Sequence, residues 1–360
     1  LTRVLPGLRD LAGRGAKVIV LSHFGRPKGV PNPAMSLRVV AEKLSELAGV
    51  SIAFADDCVG DAAESMIAAM TNGSIVVLEN LRFHAGEEAD DPGFAAGLAR
   101  LGDIYVNDAF SAAHRAHAST AGITNHLPSY AGPLMMEEIN ALRAALDQPQ
   151  RPTVAVVGGA KVSSKISVLT NLIEKVDKLI IGGGMANTFL LAQGVSVGAS
   201  LAEADQIDVA REILAKAKAG DCEIILPMDA VIAREFAANA PHQVVSVTQV
   251  PDEAMILDVG PDSVSAMTKV LAGCRTLLWN GPLGAFEISP FGAGTFKLAA
   301  VAADLTKQGQ LASIAGGGDT VAALNMAGVT EDFTYVSTAG GAFLEWLEGR
   351  DLPGVVALTK

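Results

Sequence analysis

The decapeptide Val-Val-Gly-Gly-Ala-Lys-Val-Ser-Ser-Lys (156–165) stands where the chain passes from a predicted strand to a predicted helix. The apolar run before it predicts a buried strand at residues 153–157, and residues 162–173 predict a helix. The glycine pair lets the backbone approach a ligand closely. Because a helix N-terminus carries free N–H groups and partial positive charge, Lys161 and Lys165 would add full charges to an anion site. A tight turn with two solvated lysines is the alternative interpretation.

A second segment of similar design follows a short apolar run at residues 311–315. Gly316-Gly317-Gly318-Asp319-Thr320 comes next, and residues 321–326 then resume at helical spacing. Three glycines allow bare backbone to face phosphate oxygens, and a carboxylate beside them makes sense mainly if a divalent cation lies between. Mg²⁺ binds through one or two carboxylates plus substrate phosphates, so Asp319 is the candidate metal ligand. A capped helix with an aspartate near its N-terminus is the alternative.

Two further apolar runs between these segments also end in glycine-rich loops. The loops are Gly182-Gly183-Gly184 and Asn280-Gly281-Pro282-Leu283-Gly284. Four such strand ends in one half of a chain predict a ligand crevice along the carboxyl edge of a parallel sheet.

Strand-like runs separated by helix-like runs recur along the chain and predict βαβ units with parallel sheets. The predicted strands are residues 17–21, 74–78 and 104–106 before Pro149, and 153–157, 178–181, 223–226, 276–279 and 311–315 after Pro152. With 360 residues, 50% of them hydrophobic, the chain exceeds what one core usually organises, so two domains are expected. The predicted fold class is α/β, with two Rossmann-like domains joined by an interdomain helix and hinge.

One helix is predicted directly before this break, at residues 135–146. Its apolar face is predicted to carry Met136, Ile139, Leu142 and Leu146. This helix is expected to join the two domains.

The composition argues against several classes of function. A net charge of −12 disfavours general nucleic-acid binding. The three cysteines show neither metal-ligand spacing nor a disulfide pattern, so a reducing compartment, the cytoplasm, is expected. No uninterrupted apolar run reaches transmembrane length and no signal-peptide pattern opens the chain, so membrane insertion and secretion are disfavoured.

Histidines are concentrated in the first part of the chain. His23, His84, His114, His117 and His126 lie there near arginines, out of 6 histidines in all. In an acidic protein, a local cluster of arginine and histidine could hold a small, highly anionic ligand. Taken singly, each of these residues is better explained as a surface or capping residue.

Three short motifs are typical of other functions, but the sequence around each of them disfavours that function. Gly194-Val195-Ser196-Val197-Gly198 matches the hydrolase elbow, but a helical stretch precedes it and Gly194 is the expected helix stop. A dinucleotide fingerprint is incomplete at both Gly182-x-Gly184 and Gly316-x-Gly318, which disfavours an NAD-dependent oxidoreductase. His114-x-x-His117 lacks a third metal ligand at sensible spacing, so a structural or anion-binding role is expected instead.

The ordered motifs of the chain resemble those of the phosphoglycerate kinase family over essentially its whole length. Besides the four glycine loops, they are Ser-His-Phe-Gly-Arg-Pro-Lys-Gly (22–29), Glu-Asn-Leu-Arg-Phe-His (79–84), Tyr-Val-Asn-Asp-Ala-Phe (105–110), His-Arg-Ala-His (114–117) and Ser-Thr-Ala-Gly-Gly-Ala (337–342). The resemblance implies reversible phosphoryl transfer from 1,3-bisphosphoglycerate to ADP, giving 3-phosphoglycerate and ATP in glycolysis and gluconeogenesis. It also implies Mg²⁺ bound with the nucleotide, and a monomer is expected.

The resemblance further divides the chain and assigns its site residues. It implies a 3-phosphoglycerate domain at 1–132, the helix and hinge at 133–150, a nucleotide-binding domain at 151–346 and a tail at 347–360 that returns to the first domain. Lys161 would follow the transferring phosphoryl group, with Gly340 and Gly341 as backbone donors near it, and Asp319 would bind the metal. The glycerate substrate would be held by His23, Arg26, Arg82, His114 and Arg115. The nucleotide would be held by Lys165, Gly183, Gly184, Leu257, Asn280, Pro282, Glu287, Gly317, Gly318, Asp319 and Thr320.

The start of the chain departs from the family's pattern. Leu1 already lies inside what the resemblance makes the first helix, and the family's opening strand, with its aspartate, asparagine and arginine, has no counterpart. The expectation is a phosphoglycerate kinase truncated at its N-terminus, whose first domain lacks its first strand. A nucleotide-binding protein without kinase turnover is the alternative.

Overall fold

The structure, a computed structural model, describes residues 1–359, and Lys360 lies outside the described residues, as does the end of the expected tail 347–360. The chain forms two compact units. Unit 1 comprises Leu1–Glu138 and the chain from Asp351 onward, and unit 2 comprises Ile139–Arg350. Within residues 1–359, no helix has both the length and the apolar content needed to span a bilayer.

Strands and helices alternate along the chain. The strands are β1 (Val18–Val20), β2 (Ala53–Ala55), β3 (Ile75–Leu78), β4 (Tyr105–Asn107), β5 (Ser129–Ala131), β6 (Thr153–Val157), β7 (Lys178–Ile181), β8 (Glu223–Ile225), β9 (Asp229–Ala233), β10 (His242–Ser246), β11 (Met255–Val259), β12 (Thr276–Asn280), β13 (Ala312–Gly316) and β14 (Tyr335–Ser337). The α-helices are α1 (Leu5–Gly13), α2 (Arg38–Ala48), α3 (Asp61–Ala68), α4 (Ala85–Glu88), α5 (Pro92–Ala99), α6 (Pro133–Leu146), α7 (Ile166–Leu172), α8 (Gly183–Ala192), α9 (Ile207–Ala219), α10 (Pro261–Ala272), α11 (Ala293–Lys307), α12 (Gly318–Ala327), α13 (Gly341–Leu347) and α14 (Pro353–Val356). Each predicted strand overlaps an observed one, which confirms the α/β class.

Unit 1 is organised around the parallel sheet β1-β3-β2. All four residues of the central strand β3 are buried, because helices cover both faces of the sheet. Val76 and Leu78 join the core on one face, and Ile75 and Val77 join the core on the other. This alternation follows from the two-residue period of a strand. A second parallel pair, β4-β5, completes the strands of this unit.

Unit 2 contains a six-stranded parallel sheet in the order β14-β13-β12-β6-β7-β8. When these six strands are numbered along the chain and the sheet is read from β8 to β14, the order is 3-2-1-4-5-6. This is the doubly wound arrangement, in which the direction of winding reverses between β6 and β12. Every residue of both strands is buried. Ligands bind such sheets at the carboxyl ends of the strands beside that reversal.

The structure corrects three expectations about secondary structure. The sheets are not all parallel, because β9, β10 and β11 form an antiparallel sheet. The predicted helix at residues 162–173 begins only at Ile166, since residues 162–165 form a turn closed by a hydrogen bond from Lys165 N to Val162 O (2.8 Å). On α6, Met136 is 39% exposed, whereas Met135 is buried, as are Ile139, Leu142 and Leu146.

Candidate functional site

The two strands at the reversal of unit 2 lead into loops that pack backbone against backbone. A Cβ atom on Gly158 would lie 1.8 Å from the carbonyl oxygen of Pro282, and one on Gly281 would lie 2.2 Å from that of Gly158. Any side chain at either position would therefore push the loops apart. The glycines after β6 and β12 are explained by this close approach.

The ends of the sheet strands border a cavity of about 420 Å³. Of the residues singled out from the sequence, its lining includes Gly183, Gly184, Leu257, Pro282, Glu287 and Asp319. The structure thus gathers residues from separate loops, as the prediction of a ligand crevice requires. The lining includes Ala160 but none of the other predicted site residues of unit 2, which are Lys161, Lys165, Asn280, Gly317, Gly318, Thr320, Gly340 and Gly341.

Irregular pairing in β11 contributes to the wall of this cavity. The register with β9 shifts between Ile256 and Asp258, so Leu257 has no strand partner there. Its carbonyl oxygen accepts a hydrogen bond from Ala285 N (2.8 Å), which ties the strand to the loop after β12. Phe236 and Leu201 also line the cavity, and they are 60% and 54% exposed. Sequence reasoning missed both, because neither belongs to a polar or glycine-rich motif.

Lys165 is folded onto the base of the same loops. Its Nζ donates hydrogen bonds to Gly158 O (2.7 Å), Asn280 Oδ1 (2.6 Å) and Asn280 O (3.0 Å). Burial lowers the pKa of Lys165 to about 8, and the charge of Asp319 opposes that shift. The hydrogen bonds of the ammonium group therefore all go to neutral acceptors.

Asn280 and Thr320 connect the loops after β12 and β13. Asn280 Nδ2 donates to Gly316 O (2.8 Å), and the hydroxyl of Thr320 accepts from Gly281 N (2.7 Å). Thr320 is buried, so its hydroxyl contacts the neighbouring loop. Gly317, with φ of +98°, turns the chain into α12.

Gly318 and Asp319 are exposed at the start of α12. Nothing lies within 4 Å of the position that a Cβ on Gly318 would occupy. The carboxylate of Asp319 makes no hydrogen bond or ion pair with any residue in the described part of the chain. This helix end therefore offers free N–H groups and one free carboxylate to the cavity.

Gly340 and Lys161 lie on loops at the same carboxyl edge of the sheet, after β14 and β6. Gly340 has φ of +52° and open space around it, and Gly341 begins α13. Lys161 is exposed, and its Nζ has no partner among residues 1–359.

Electrostatic interactions in unit 1 link His23, Arg82, Arg115 and His117. These four residues, together with Arg26 and His114 on the same loops, are here called the basic cluster. Arg82 donates to Gly25 O (3.0 Å) and receives support from the buried Asn80, whose Oδ1 accepts from Arg82 N (3.0 Å). The amide of Asn80 also donates to Phe24 O (2.7 Å). One buried side chain therefore holds Arg82 beside the loop that carries His23.

Burial and the charges of the basic cluster lower the pKa of two of its histidines. Desolvation, followed by the charges of Arg82 and His117, lowers the pKa of His23 to about 4. Desolvation and Arg82 also lower the pKa of His117, and Arg115 adds to that effect while Glu88 opposes it. Both imidazoles are therefore neutral at neutral pH, and the arginines supply the positive charge.

Two nitrogens of the basic cluster are buried without a hydrogen-bond partner: Arg82 Nε and His114 Nδ1. Glu88 Oε1 lies 3.5 Å from Arg82 Nε, as an ion pair and not a hydrogen bond. Buried groups of this kind usually acquire a partner, and a small anion would provide one. The side chains of Arg26 and Arg115 are exposed and make no hydrogen bond or ion pair within residues 1–359. His117, which the sequence left open between structural and anion-binding roles, belongs to this cluster.

One other group in unit 1 has the donor types of a metal site. Asp57, Cys58 and His84 place their ligand atoms within 4.8 Å of one another. Asp57 Oδ1 already bonds to Cys58 N (2.7 Å) and to His84 Nε2 (2.7 Å), and burial raises the pKa of the Cys58 thiol. These hydrogen bonds account for the cluster as an internal link between the two loops.

Comparisons with known proteins point to one family. The family model described as phosphoglycerate kinase matches residues 1–350. The chain is 60% identical over 356 residues to the phosphoglycerate kinase of Methylorubrum extorquens, covering 99% of this chain and 89% of that protein. It is 61% identical over 356 residues to that of Methylobacterium radiotolerans, with the same 99% and 89% coverage.

Solved structures give the same result. The structure of phosphoglycerate kinase from Coxiella burnetii matches with a TM-score of 0.93 and 43% identity, covering 99% of this chain and 90% of that one. Phosphoglycerate kinase from Pyrococcus horikoshii matches with a TM-score of 0.80 and 30% identity, covering 99% and 89%.

Proposed function

The chain belongs to the phosphoglycerate kinase family, and from that premise we propose how its residues divide the work of the reaction. The enzyme transfers a phosphoryl group between 1,3-bisphosphoglycerate and ADP, giving 3-phosphoglycerate and ATP. In the reverse direction the acceptor is a carboxylate, which is ionised at neutral pH, so no general base is needed. What the protein must supply is in-line positioning and positive charge for the phosphoryl oxygens.

The basic cluster of unit 1 binds 3-phosphoglycerate in this proposal. Arginine suits the task, because its planar fork binds phosphate through two parallel hydrogen bonds and does not deprotonate. Arg82 Nε and His114 Nδ1 support this role, since neither has a hydrogen-bond partner among the described residues and each would gain one from the anion. The set of substrate residues is His23, Arg26, Arg82, His114 and Arg115.

The cavity of unit 2 binds the nucleotide in this proposal. Its apolar wall, which includes Leu257, suits the flat face of a base, and Glu287, an exposed residue of the lining, would accept from ribose hydroxyls. The free helix end at Gly318 suits phosphates. Lys165 would exchange its carbonyl acceptors for phosphate oxygens, while Asn280 and Thr320 keep the loops in place. The full set is Lys165, Gly183, Gly184, Leu257, Asn280, Pro282, Glu287, Gly317, Gly318, Asp319 and Thr320.

Asp319 is the residue that would hold Mg²⁺. Its carboxylate is free at the edge of the cavity, and no group of three or more metal-ligating side chains occurs around it in residues 1–359. One carboxylate is sufficient when phosphates and water complete the coordination sphere, as is usual for this ion. Bound Mg²⁺ would neutralise phosphate charge.

Lys161, Gly340 and Gly341 act on the group in flight in this proposal. The free ammonium group of Lys161 can follow the phosphoryl oxygens without first breaking an internal bond.

The chain passes from unit 1 to unit 2 within α6, so the segment 133–150 is the proposed hinge. We also propose that the enzyme is monomeric and cytoplasmic, which sedimentation velocity and cell fractionation can check.

The gathering of glycine loops and Asp319 about one cavity at the sheet reversal is the observation that carries this assignment. The test is ADP formation from ATP, measured with and without 3-phosphoglycerate and with Mg²⁺ removed by a chelator. Turnover should require all three components. ATP binding without turnover dependent on 3-phosphoglycerate would contradict the assignment.

A further inference from the structure

Glu87 lies directly behind the basic cluster. Among the carboxylates next to that cluster in the described residues, it is the only one that is buried. Its side chain is 2% exposed, whereas the adjacent Glu88 is exposed. Burial raises the pKa of Glu87, and its hydrogen bonds and the charge of Arg82 oppose the shift. Burying a carboxyl group costs free energy unless its oxygens are hydrogen-bonded, and both oxygens of Glu87 are.

All of those hydrogen bonds go to one short segment. Ser119 N donates to Glu87 Oε2 (3.0 Å), and Ser119 Oγ donates to Glu87 Oε1 (2.5 Å). The backbone adds a third link, from Ala118 N to Glu87 O (3.0 Å). His117 Nδ1 lies 3.9 Å from Glu87 Oε1.

This segment carries substrate residues at its other end. Thr120, next to Ser119, accepts from His117 N (3.0 Å) and donates to Arg115 O (2.9 Å). The loop containing His114 and Arg115 is thereby anchored through residues 117–120 to Glu87. Arg82 lies five positions before Glu87 in the chain, and Asn80 fixes it through the hydrogen bond from Arg82 N.

We propose that Glu87 is a positioning residue of the 3-phosphoglycerate site, because its bidentate link to Ser119 sets the separation between Arg82 and the Arg115 loop. The inference rests on the proposed role of the basic cluster. Its physical basis is that a phosphate bound by several cations is sensitive to their spacing, and displacement of a binding group by about 1 Å can change rates by two orders of magnitude. Glu87 itself does not contact the substrate.

Substitutions at Glu87 that change either the charge or the length of the side chain test this role. Glutamine keeps the reach of glutamate, and its amide can accept from Ser119 N and donate to Ser119 Oγ. Aspartate keeps the charge but is shorter by one carbon–carbon bond, about 1.5 Å. If Glu87 acts by position, Glu87→Asp should therefore impair the site more than Glu87→Gln.

Steady-state kinetics should be measured for Glu87→Gln, Glu87→Asp and Ser119→Ala, with Glu46→Gln as the matched surface control on α2. We expect KM for 3-phosphoglycerate to rise by about 3-fold in Glu87→Gln and by about 10-fold or more in Glu87→Asp and Ser119→Ala. KM for ATP should stay within about 2-fold. Because the two residues act as one link, Glu87→Gln combined with Ser119→Ala should cost less than the product of the two single effects.

Three results would overturn the proposal: an aspartate variant no worse than the glutamine variant, equal changes in both KM values, or loss of thermal stability with unchanged KM values. Ser119→Ala keeps the question decidable if Glu87→Asp does not fold. Arg82→Ala distinguishes failure of the proposed substrate site from failure of the positioning role of Glu87. If it leaves KM for 3-phosphoglycerate unchanged, the proposed substrate site is wrong. If it raises that KM while the Glu87 and Ser119 variants do not, only the positioning role fails.

Discussion

The basic cluster of unit 1 presents charged side chains to its ligand, whereas the cavity of unit 2 presents mostly backbone. In unit 1, the side chains of Arg26 and Arg115 have no hydrogen-bond or ion-pair partner among the described residues, and Arg82 Nε has no hydrogen bond. In unit 2, glycines bring the loops so close that a Cβ at Gly158 or Gly281 would overlap backbone atoms. The two sites should therefore fail under different substitutions: loss of charge in unit 1 and added carbon in unit 2.

Lys161 is the exception that tests this contrast most severely. It is a free charge in a site built of backbone, and its proposed target is the phosphoryl group in transit. Lys161→Ala should reduce kcat by about 100-fold or more while ADP affinity changes little, because an interaction that strengthens in the transition state affects turnover more than binding. Lys269→Ala, an exposed lysine on α10, is the matched control. Equal losses in ADP affinity and kcat would assign Lys161 to ground-state binding.

The arginines should produce the next largest effect, confined to the other ligand. Arg26→Ala, Arg82→Ala or Arg115→Ala should each weaken 3-phosphoglycerate binding by about 1.5–3 kcal/mol, the scale of a charge-assisted hydrogen bond. Titration calorimetry with 3-phosphoglycerate and with ADP measures both affinities on the same preparation.

Arg14→Ala is the control for these variants, since the side chain of Arg14 is 75% exposed and, within residues 1–359, pairs only with Asp10 of the preceding helix α1. A comparable loss of ADP affinity in the three test variants would show that the two sites do not divide the ligands as proposed.

The sequence predicted the backbone-built site better than the side-chain site. An apolar run that ends in glycines is a local signal, and the strands before Gly158, Gly182, Gly281 and Gly317 were each found where expected. The position of Leu257 was implied only by family resemblance, because the bulge that frees it depends on pairing with β9. No local pattern in residues 229–259 distinguishes an antiparallel sheet from the parallel one.

The side-chain site depends on contacts between distant segments. His117 could not be separated from a structural histidine until the structure placed it near Arg82. The error at Met136 has a simpler origin. Met135 and Met136 are both apolar, and moving the predicted stripe by one residue rotates it by about 100° on a helix with 3.6 residues per turn. Propensity alone does not choose between the two.

Substitution by alanine should have different effects at two glycines of unit 2. Gly183 has φ of +68°, and a Cβ there would lie 2.6 Å from Gly159 O, so Gly183→Ala should lower stability by about 1–3 kcal/mol and weaken nucleotide binding. Gly318 has no such constraint, since nothing lies within 4 Å of its Cβ position. Gly318→Ala should leave the melting temperature unchanged and weaken ADP by about 10-fold, because the methyl group would stand where phosphate approaches bare backbone.

Differential scanning fluorimetry and calorimetry on this pair give both quantities. Unchanged ADP affinity in Gly318→Ala would show that the start of α12 does not face the phosphates. An unchanged melting temperature in Gly183→Ala would mean that the loops after β6 and β7 can separate at little cost.

The smallest effect concerns the protonation of Lys165, whose Nζ is hydrogen-bonded to Gly158 O and Asn280 Oδ1 beside the cavity of unit 2. Its pKa of about 8 lies below the ordinary 10.5 because of burial, so the amine is partly neutral at about pH 8.5. Phosphate contact favours the ammonium form, and ADP binding at that pH should therefore take up a fraction of a proton. Calorimetry in buffers of different ionisation enthalpy measures this uptake, which Lys165→Gln should abolish and Lys269→Gln should not. Since the unfolded chain holds this proton more tightly, Lys165 should also make the free energy of unfolding of the nucleotide-free enzyme rise between about pH 8 and 10.5. Proton uptake that persists in Lys165→Gln would place the titrating group elsewhere and leave the nucleotide site of unit 2 without an enclosed charge that responds to phosphate.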